Sequence, residues 1–225
     1  MTARIPLYYF LALSAIHLTL IQLNPSLTIF TKPLLIPALL WYYLKSEKEP
    51  KRLLVLALIA CWAGDCLLMF TERNANFFLT GLGAFLLGHV LYIFSFRSLS
   101  LPRKKPMSNL VYSLCIIPVL FAGWLLSNLW DGLGDFRIPV LCYAAVIVTM
   151  FTNAVFRIHR TSEKSFMIVT AGAFLFMVSD SILAYNMFGS PVPFSGLFIM
   201  STYLMAQLLI IQGLLLHKQI INFQV

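Results

Sequence analysis

The chain has 225 residues, of which 60% are hydrophobic and 11% charged, with a mean hydropathy of +0.87. Soluble domains carry about 25% charged residues, so this composition cannot solvate a globular surface, and the long unbroken apolar runs exclude a membrane β-barrel, whose strands alternate. The net charge of +8, from 16 Lys+Arg against 8 Asp+Glu, is spread over short segments between apolar runs, which argues for basic cytoplasmic loops and against nucleic-acid binding.

A bilayer core of about 30 Å takes about 20 apolar residues per helix. Eight stretches qualify, at 6–23, 27–44, 52–71, 77–97, 108–127, 137–157, 165–187 and 195–216. The first follows Arg4 and lacks a small-residue cleavage site before Asn24-Pro25, so it reads as a helix rather than a leader. Asn24-Pro25-Ser26 ends it. The second contains Lys32-Pro33 and Pro37, the one place where the pattern allows a broken helix, and closes at Lys45 to Lys51. Glu72-Arg73-Asn74, Leu101 to Pro106, Asp131 to Asp135, His159 to Lys164 and Gly189 to Pro193 supply the remaining breaks. The sequence therefore predicts an all-α integral membrane protein of eight transmembrane helices, one transmembrane domain over 1–225.

Charge orients it. With the N-terminus in the cytoplasm, all Lys and Arg residues fall on that side except Lys32, Arg73 and Arg137. An even helix count with both termini inside satisfies this bias, and an odd count would scatter it. In a bacterium, that membrane is the inner one.

A shift of 115 residues lays Gly64-Asp65-Cys66-Leu67-Leu68 on Ser179-Asp180-Ser181-Ile182-Leu183, Gly81-Leu82 on Gly196-Leu197, and Tyr92-Ile93 on Gln207-Leu208. Two similar four-helix halves, 1–105 and 106–225, are expected. Because four is even, they run parallel rather than inverted.

Six of the eight acidic residues lie in the breaks; Asp65 and Asp180 do not. A carboxylate inside a transmembrane helix costs about 3 kcal/mol on insertion scales and usually faces a cavity or partner. A pair of structural acids, each tied to a basic or hydroxyl group, is the plainer alternative. At 1.5 Å per residue, Asp65 and Asp180 lie about 9 and 10 Å below the outer helix ends, with Lys32, Tyr143 and Tyr203 at about 8, 9 and 12 Å. His89 and Gln207 lie deeper, near about 18 Å. Phe85, Gly88, His89 and Tyr92 share one face of the fourth helix, and Tyr203 and Gln207 stand one turn apart on the eighth. These residues are candidates for one pocket open to the outer leaflet.

Other chemistries fit less well. Cys61, Cys66, Cys115 and Cys142 sit in apolar runs without a C-x-x-C pair, as buried small residues do. His17 and His89 are the two intramembrane histidines, and no H-E-x-x-H occurs, so no metal is expected. No G-x-S-x-G elbow marks a serine hydrolase. No cofactor is implied.

The ordered blocks Thr31-Lys32-Pro33-Leu34-Leu35, Ala63-Gly64-Asp65-Cys66-Leu67-Leu68, Phe85-Leu86-Leu87-Gly88-His89-Val90-Leu91-Tyr92, Gly172 to Ala184 around Ser179-Asp180-Ser181, and Tyr203-Leu204-Met205-Ala206-Gln207 span nearly the whole chain. Together they resemble the YhhN-like lysoplasmalogenase family. The resemblance implies hydrolysis of the vinyl ether of a lysoplasmalogen to a fatty aldehyde and glycerophosphoethanolamine or glycerophosphocholine. It also implies an eight-helix fold, a lysophospholipid partner within the bilayer, and Asp65 and Asp180 as the catalytic acids. Two carboxyl groups suit a vinyl ether. One donates a proton to the β-carbon, and the other stabilises the oxocarbenium ion and draws a proton from the attacking water, as in glycosidases. Lys32 and His89 would assist, and Tyr92, Tyr143, Tyr203 and Gln207 would line the substrate. A proton-coupled carrier of a lipid or small amphiphile is the competing reading, because repeats and intramembrane acids mark those proteins too. A non-catalytic lipid-binding protein is a third.

Overall fold

Among the described residues, eight α-helices follow one another: α1 Arg4–Leu23, α2 Thr28–Ser46, α3 Arg52–Leu68, α4 Ala75–Ser98, α5 Asn109–Leu129, α6 Arg137–Val155, α7 Glu163–Phe188 and α8 Ser195–Phe223. Short 3-10 turns, Pro25–Leu27 and Gly134–Phe136, lead into α2 and α6. This computed structural model describes residues 3–103 and 106–223, and the side chains among them except at 75, 110 and 218–223. The basic residues Lys104 and Lys105 of the expected cytoplasmic face, and the side chain of Lys218, lie outside the described set. No strand forms among the described residues.

Among the described residues, seven helical segments are long and apolar enough to cross a membrane. The exception is α3, with 17 residues. It ends at Leu68 because the chain enters successive turns there, Phe70 N–H donating to Leu67 and Arg73 N–H to Phe70. The sequence reading carried that helix to residue 71.

The chain divides into two compact units, Met1–Ser95 and Phe96–Val225. In the first, α1 turns its Pro6, Phe10, Leu13, Ser14 and His17 face inward and packs on α2, which packs on α3. The α2 helix runs unbroken through both prolines. Pro37 has no N–H, so the Pro33 carbonyl one turn earlier loses its helical donor. The Trp62 indole N–H of α3 donates to that carbonyl at 2.8 Å. In a bilayer no water is available to do so, and the cross-helix bond lets α2 remain continuous. Two glycines bring α3 and α4 together. A Cβ on Gly64 would stand 2.5 Å from the Phe85 ring, and one on Gly88 would stand 2.8 Å from the Cys61 sulfur.

In the second unit the α7–α8 pair is the most extensive packing, with small residues letting the backbones approach. A Cβ on Gly172 would meet the Ala206 carbonyl at 2.9 Å, and one on Gly213 would meet Val169 at 2.6 Å. Ser162 caps α7, accepting from Ser165 N–H, with Glu163 in the first turn. Arg157, 1% exposed, donates to the Ser165 hydroxyl at 2.9 Å, which in turn donates to the Gly213 carbonyl at 2.6 Å. Burial lowers its guanidinium to about 10, with the Arg160 charge adding to the effect, so it stays protonated at neutral pH. Burial, Arg103 and Arg97 likewise lower Arg160. Two connections clasp each other here. Leu101 N–H donates to the Arg160 carbonyl at 3.0 Å, and Arg160 Nε to the Leu101 carbonyl at 2.7 Å. Arg103 donates to the Phe156 carbonyl at 2.9 Å.

Candidate active site

The second unit contains an apolar cleft between α5, α6 and α7, with about 490 Å³ of empty space including its open mouth. Ligand sites are typically mostly apolar with a few placed polar groups. Phe121, Leu125 and Leu126 of α5, Ile147 of α6 and Met177 of α7 form much of the wall. Tyr143, Asp180 and Ser181 bring the polar atoms. Asp180 is half-buried, eight residues or about 12 Å from the end of α7. Tyr143 is six residues or about 9 Å from the start of α6. The phenol donates to Oδ2 of Asp180 at 2.5 Å, which holds the carboxyl at the cleft wall. Those two helix ends are held together, because the Phe136 and Phe188 rings pack at 5.7 Å.

Neighbouring positions on α7 face another way. Ser179 donates to the Ile199 carbonyl of α8 at 3.0 Å. Tyr203, 3% exposed, packs edge-on against Phe176 at 5.3 Å. Gln207 is fully buried one turn further along α8, beside Ala206, whose carbonyl Gly172 approaches. Of the residues that the sequence nominated in this unit, Tyr143 is thus brought to Asp180. Tyr203 and Gln207 stand on the α8 side of α7.

In the first unit, Asp65 is 3% exposed and lies three residues, about 4.5 Å, from the end of α3. This is shallower than the sequence reading placed it, because α3 stops early. Lys32 is half-buried four residues into α2. It lies close enough to act electrostatically on both His17 and Cys66, as Asp65 does on Cys66. His89 and Tyr92 are fully buried on one face of α4 with Phe85. Among the described residues, no group of three His, Cys, Asp or Glu side chains gathers as a metal site.

Two features escaped the sequence reading. One is the cleft itself, whose apolar lining looks like ordinary packing when read along the chain. The other is the pairing of His17 Nδ1 with the Thr31 hydroxyl at 2.7 Å. Thr31 was visible only as part of the Lys32-Pro33 block, and its partner depends on the register of the α1–α2 hairpin.

A multi-span helical protein with a carboxylate at the wall of an apolar cleft belongs to the class of integral membrane proteins with a polar group set inside an apolar helical bundle. Within that class, the YhhN family profile matches residues 27–214, and the chain belongs to that family. It is similar to lysoplasmalogenase TMEM86B of Sus scrofa, with 32% identity over 154 residues, 68% of this chain and 59% of the relative. The Homo sapiens TMEM86B protein is 31% identical over 155 residues, again 68% and 59% of the two chains. Lysoplasmalogenase TMEM86A of Bos taurus is 30% identical over 151 residues, 65% and 58%. The matched part spans about three-fifths of the length of these relatives. No solved structure matches.

Proposed function

We propose that this protein is a membrane-embedded hydrolase that cleaves the vinyl ether of a lysoplasmalogen, giving a fatty aldehyde and glycerophosphoethanolamine or glycerophosphocholine. The observation that carries the reading is the open apolar cleft with Asp180 held at its wall by Tyr143, in a family whose curated relatives are named lysoplasmalogenases. The cleft receives the alkenyl chain. Asp65 and Asp180 divide the chemistry. One carboxylic acid protonates the β-carbon of the vinyl ether, and the other, as carboxylate, stabilises the oxocarbenium ion and takes a proton from the water that adds to it. The hemiacetal then collapses to aldehyde and alcohol with return of the proton, and no cofactor enters the balance. Lys32 and His89 serve the same chemistry, and Tyr92, Tyr203 and Gln207 join Tyr143 in positioning the lipid.

The reading includes a topology: one transmembrane domain of eight spans in two parallel four-helix halves, with both termini cytoplasmic. Reporter fusions at Arg160 should then read cytoplasmic, and those at Asn74 and Gly132 external.

The test is aldehyde release from a purified lysoplasmalogen by wild type, Asp65→Asn and Asp180→Asn proteins in lipid nanodiscs. Each amide keeps the side-chain shape but transfers no proton, so both variants should be inactive while still inserting and folding. Full activity in either one would refute the paired-acid mechanism. A wild type that releases no aldehyde would refute the hydrolase.

A further inference from the structure

At one end of the second unit, the segment that follows α4 is clasped to the connection between α6 and α7, and the clasp is made of arginines. Arg97 donates through Nε to Oδ1 of Asn153 at 2.7 Å. Arg103 donates to the Phe156 carbonyl at 2.9 Å, and Arg160 Nε to the Leu101 carbonyl at 2.7 Å. Arg97 and Arg103 are exposed and Arg160 is partly so. Arg157 is the buried member, 1% exposed. Its guanidinium bonds to the Ser165 hydroxyl and lies over the Phe96 ring at 5.9 Å, and its Nε is buried without a hydrogen-bond partner. The charges lie within reach of one another: Arg103 and Arg97 act on Arg160, and Arg160 acts on Arg157.

The oxygens that these arginines bond are amide, hydroxyl and carbonyl, all neutral. No Asp or Glu occurs within 96–103 or 153–160, and the nearest along the chain, Glu163, opens α7. Folding does not call for this arrangement. A glutamine amide could donate to the same carbonyls without gathering like charge, and a buried guanidinium ordinarily comes with a counter-charge. The positive-inside bias accounts for basic residues between spans, but not for their convergence or for the burial of one of them.

We propose that the clasp is a binding site for an anionic phosphate group, held by the guanidinium forks of Arg97, Arg103 and Arg160, with the buried Arg157 adding its charge. Guanidinium groups match phosphate oxygens two at a time. Each of the three exposed or partly exposed arginines spends one nitrogen on its protein bond and has two others. In the topology proposed above, this end of the unit faces the cytoplasm. The phosphate then has two sources, the head of an anionic phospholipid in that leaflet or a soluble phosphate. Bound there, it ties the segment after α4 to the α6–α7 connection by charge as well as by hydrogen bonds. The site stands apart from the cleft and does not depend on the proposed hydrolysis.

Thermal melting of the purified protein in dodecyl maltoside, a phosphate-free detergent, tests this. Inorganic phosphate against chloride at equal ionic strength probes the soluble source. Mixed micelles with phosphatidylglycerol against phosphatidylcholine probe the lipid source. At least one anionic phosphate should raise the melting temperature by about 3 °C or more over its control. A rise with phosphatidylglycerol alone assigns the site to lipid, one with inorganic phosphate alone to a soluble anion, and one with both to phosphate from either source. Arg97→Gln with Arg103→Gln keeps donors for Asn153 and Phe156 and should abolish the rise. Lys48→Gln with Lys51→Gln removes the same charge from exposed positions between α2 and α3 and should keep it. A rise that survives the arginine pair, or that both pairs lose equally, would overturn the proposal. So would a wild type that melts alike in phosphate and chloride and alike with the two lipids, a result that needs no variant to fold.

Discussion

Tyr143 of α6 donates its phenolic hydrogen to Oδ2 of Asp180 on α7, at the wall of the apolar cleft. The bond joins two helices whose 37-residue separation spans a whole hairpin, and it gives the carboxyl one orientation. Tyr143→Phe keeps the ring and removes that donor. Turnover should fall about 10-fold, and stability by about 1 kcal/mol. Asp180→Asn should cost at least 10²–10⁴-fold in turnover, the usual worth of a general acid or base. Aldehyde release and thermal melting of both variants test this. Equal losses in the two would mean that Tyr143 does more than orient Asp180.

The cleft predicts a chain-length effect. Ala144 and Ala184 line it beside Asp180, and a leucine at either position would fill part of its space. Ala144→Leu should lower kcat/KM for long alkenyl chains about 10-fold or more while sparing short ones, since each buried methylene is worth about 0.8 kcal/mol. A loss independent of chain length would place the lipid tail elsewhere.

Trp62 is expected to matter for stability through the Pro33 carbonyl. Trp62→Phe keeps much of the ring area but strands an acceptor that Pro37 cannot serve. We expect a loss of about 1–3 kcal/mol, read as a lower melting temperature in nanodiscs. Adding Pro37→Ala should restore most of it by returning a backbone N–H to the same carbonyl. No rescue would show that the indole contributes by packing alone.

Gly132 is a site of backbone contact. A Cβ there would fall 1.9 Å from the Phe188 carbonyl oxygen, a distance that no rotamer change relieves. Gly123, in mid-α5, has nothing within 4 Å of the same position. Gly132→Ala should therefore reduce yield and melting temperature and displace the α7 end that helps shape the cleft. Gly123→Ala should be neutral or stabilising by up to about 1 kcal/mol. Their melting curves are the check, and similar behaviour of the two would contradict the contact.

The helices were legible because bilayer thickness turns hydrophobicity into length, so apolar runs broken by Asn24-Pro25 or His159 to Lys164 mark ends within a few residues. The end of α3 was less legible. Met69 and Phe70 are apolar and read as helix, although the chain turns there. Asp65 and Asp180 stood out because charge is costly among apolar neighbours, and the depth argument brought Tyr143 to Asp180 but could not tell which side of α7 Tyr203 would occupy. Facing depends on rotation about the helix axis, which Gly172 and Gly213 set by admitting α8. The His17–Thr31 pair and the cleft depend on register between helices, and no single segment encodes it.

The α5 wall of the cleft has a further consequence. Ile116, Ile117, Leu120 and Trp124 all stand more than half exposed, so this helix leans on surrounding acyl chains for much of its support. Helices adapt to acyl thickness by tilting, and a tilt of α5 alters the width of a groove that it borders. Membrane composition then acts as a tuning parameter for the proposed activity. Thin or fluid bilayers and thick or ordered ones should set different openings, and detergent micelles, which impose no fixed thickness, should blunt chain-length selectivity that nanodiscs preserve.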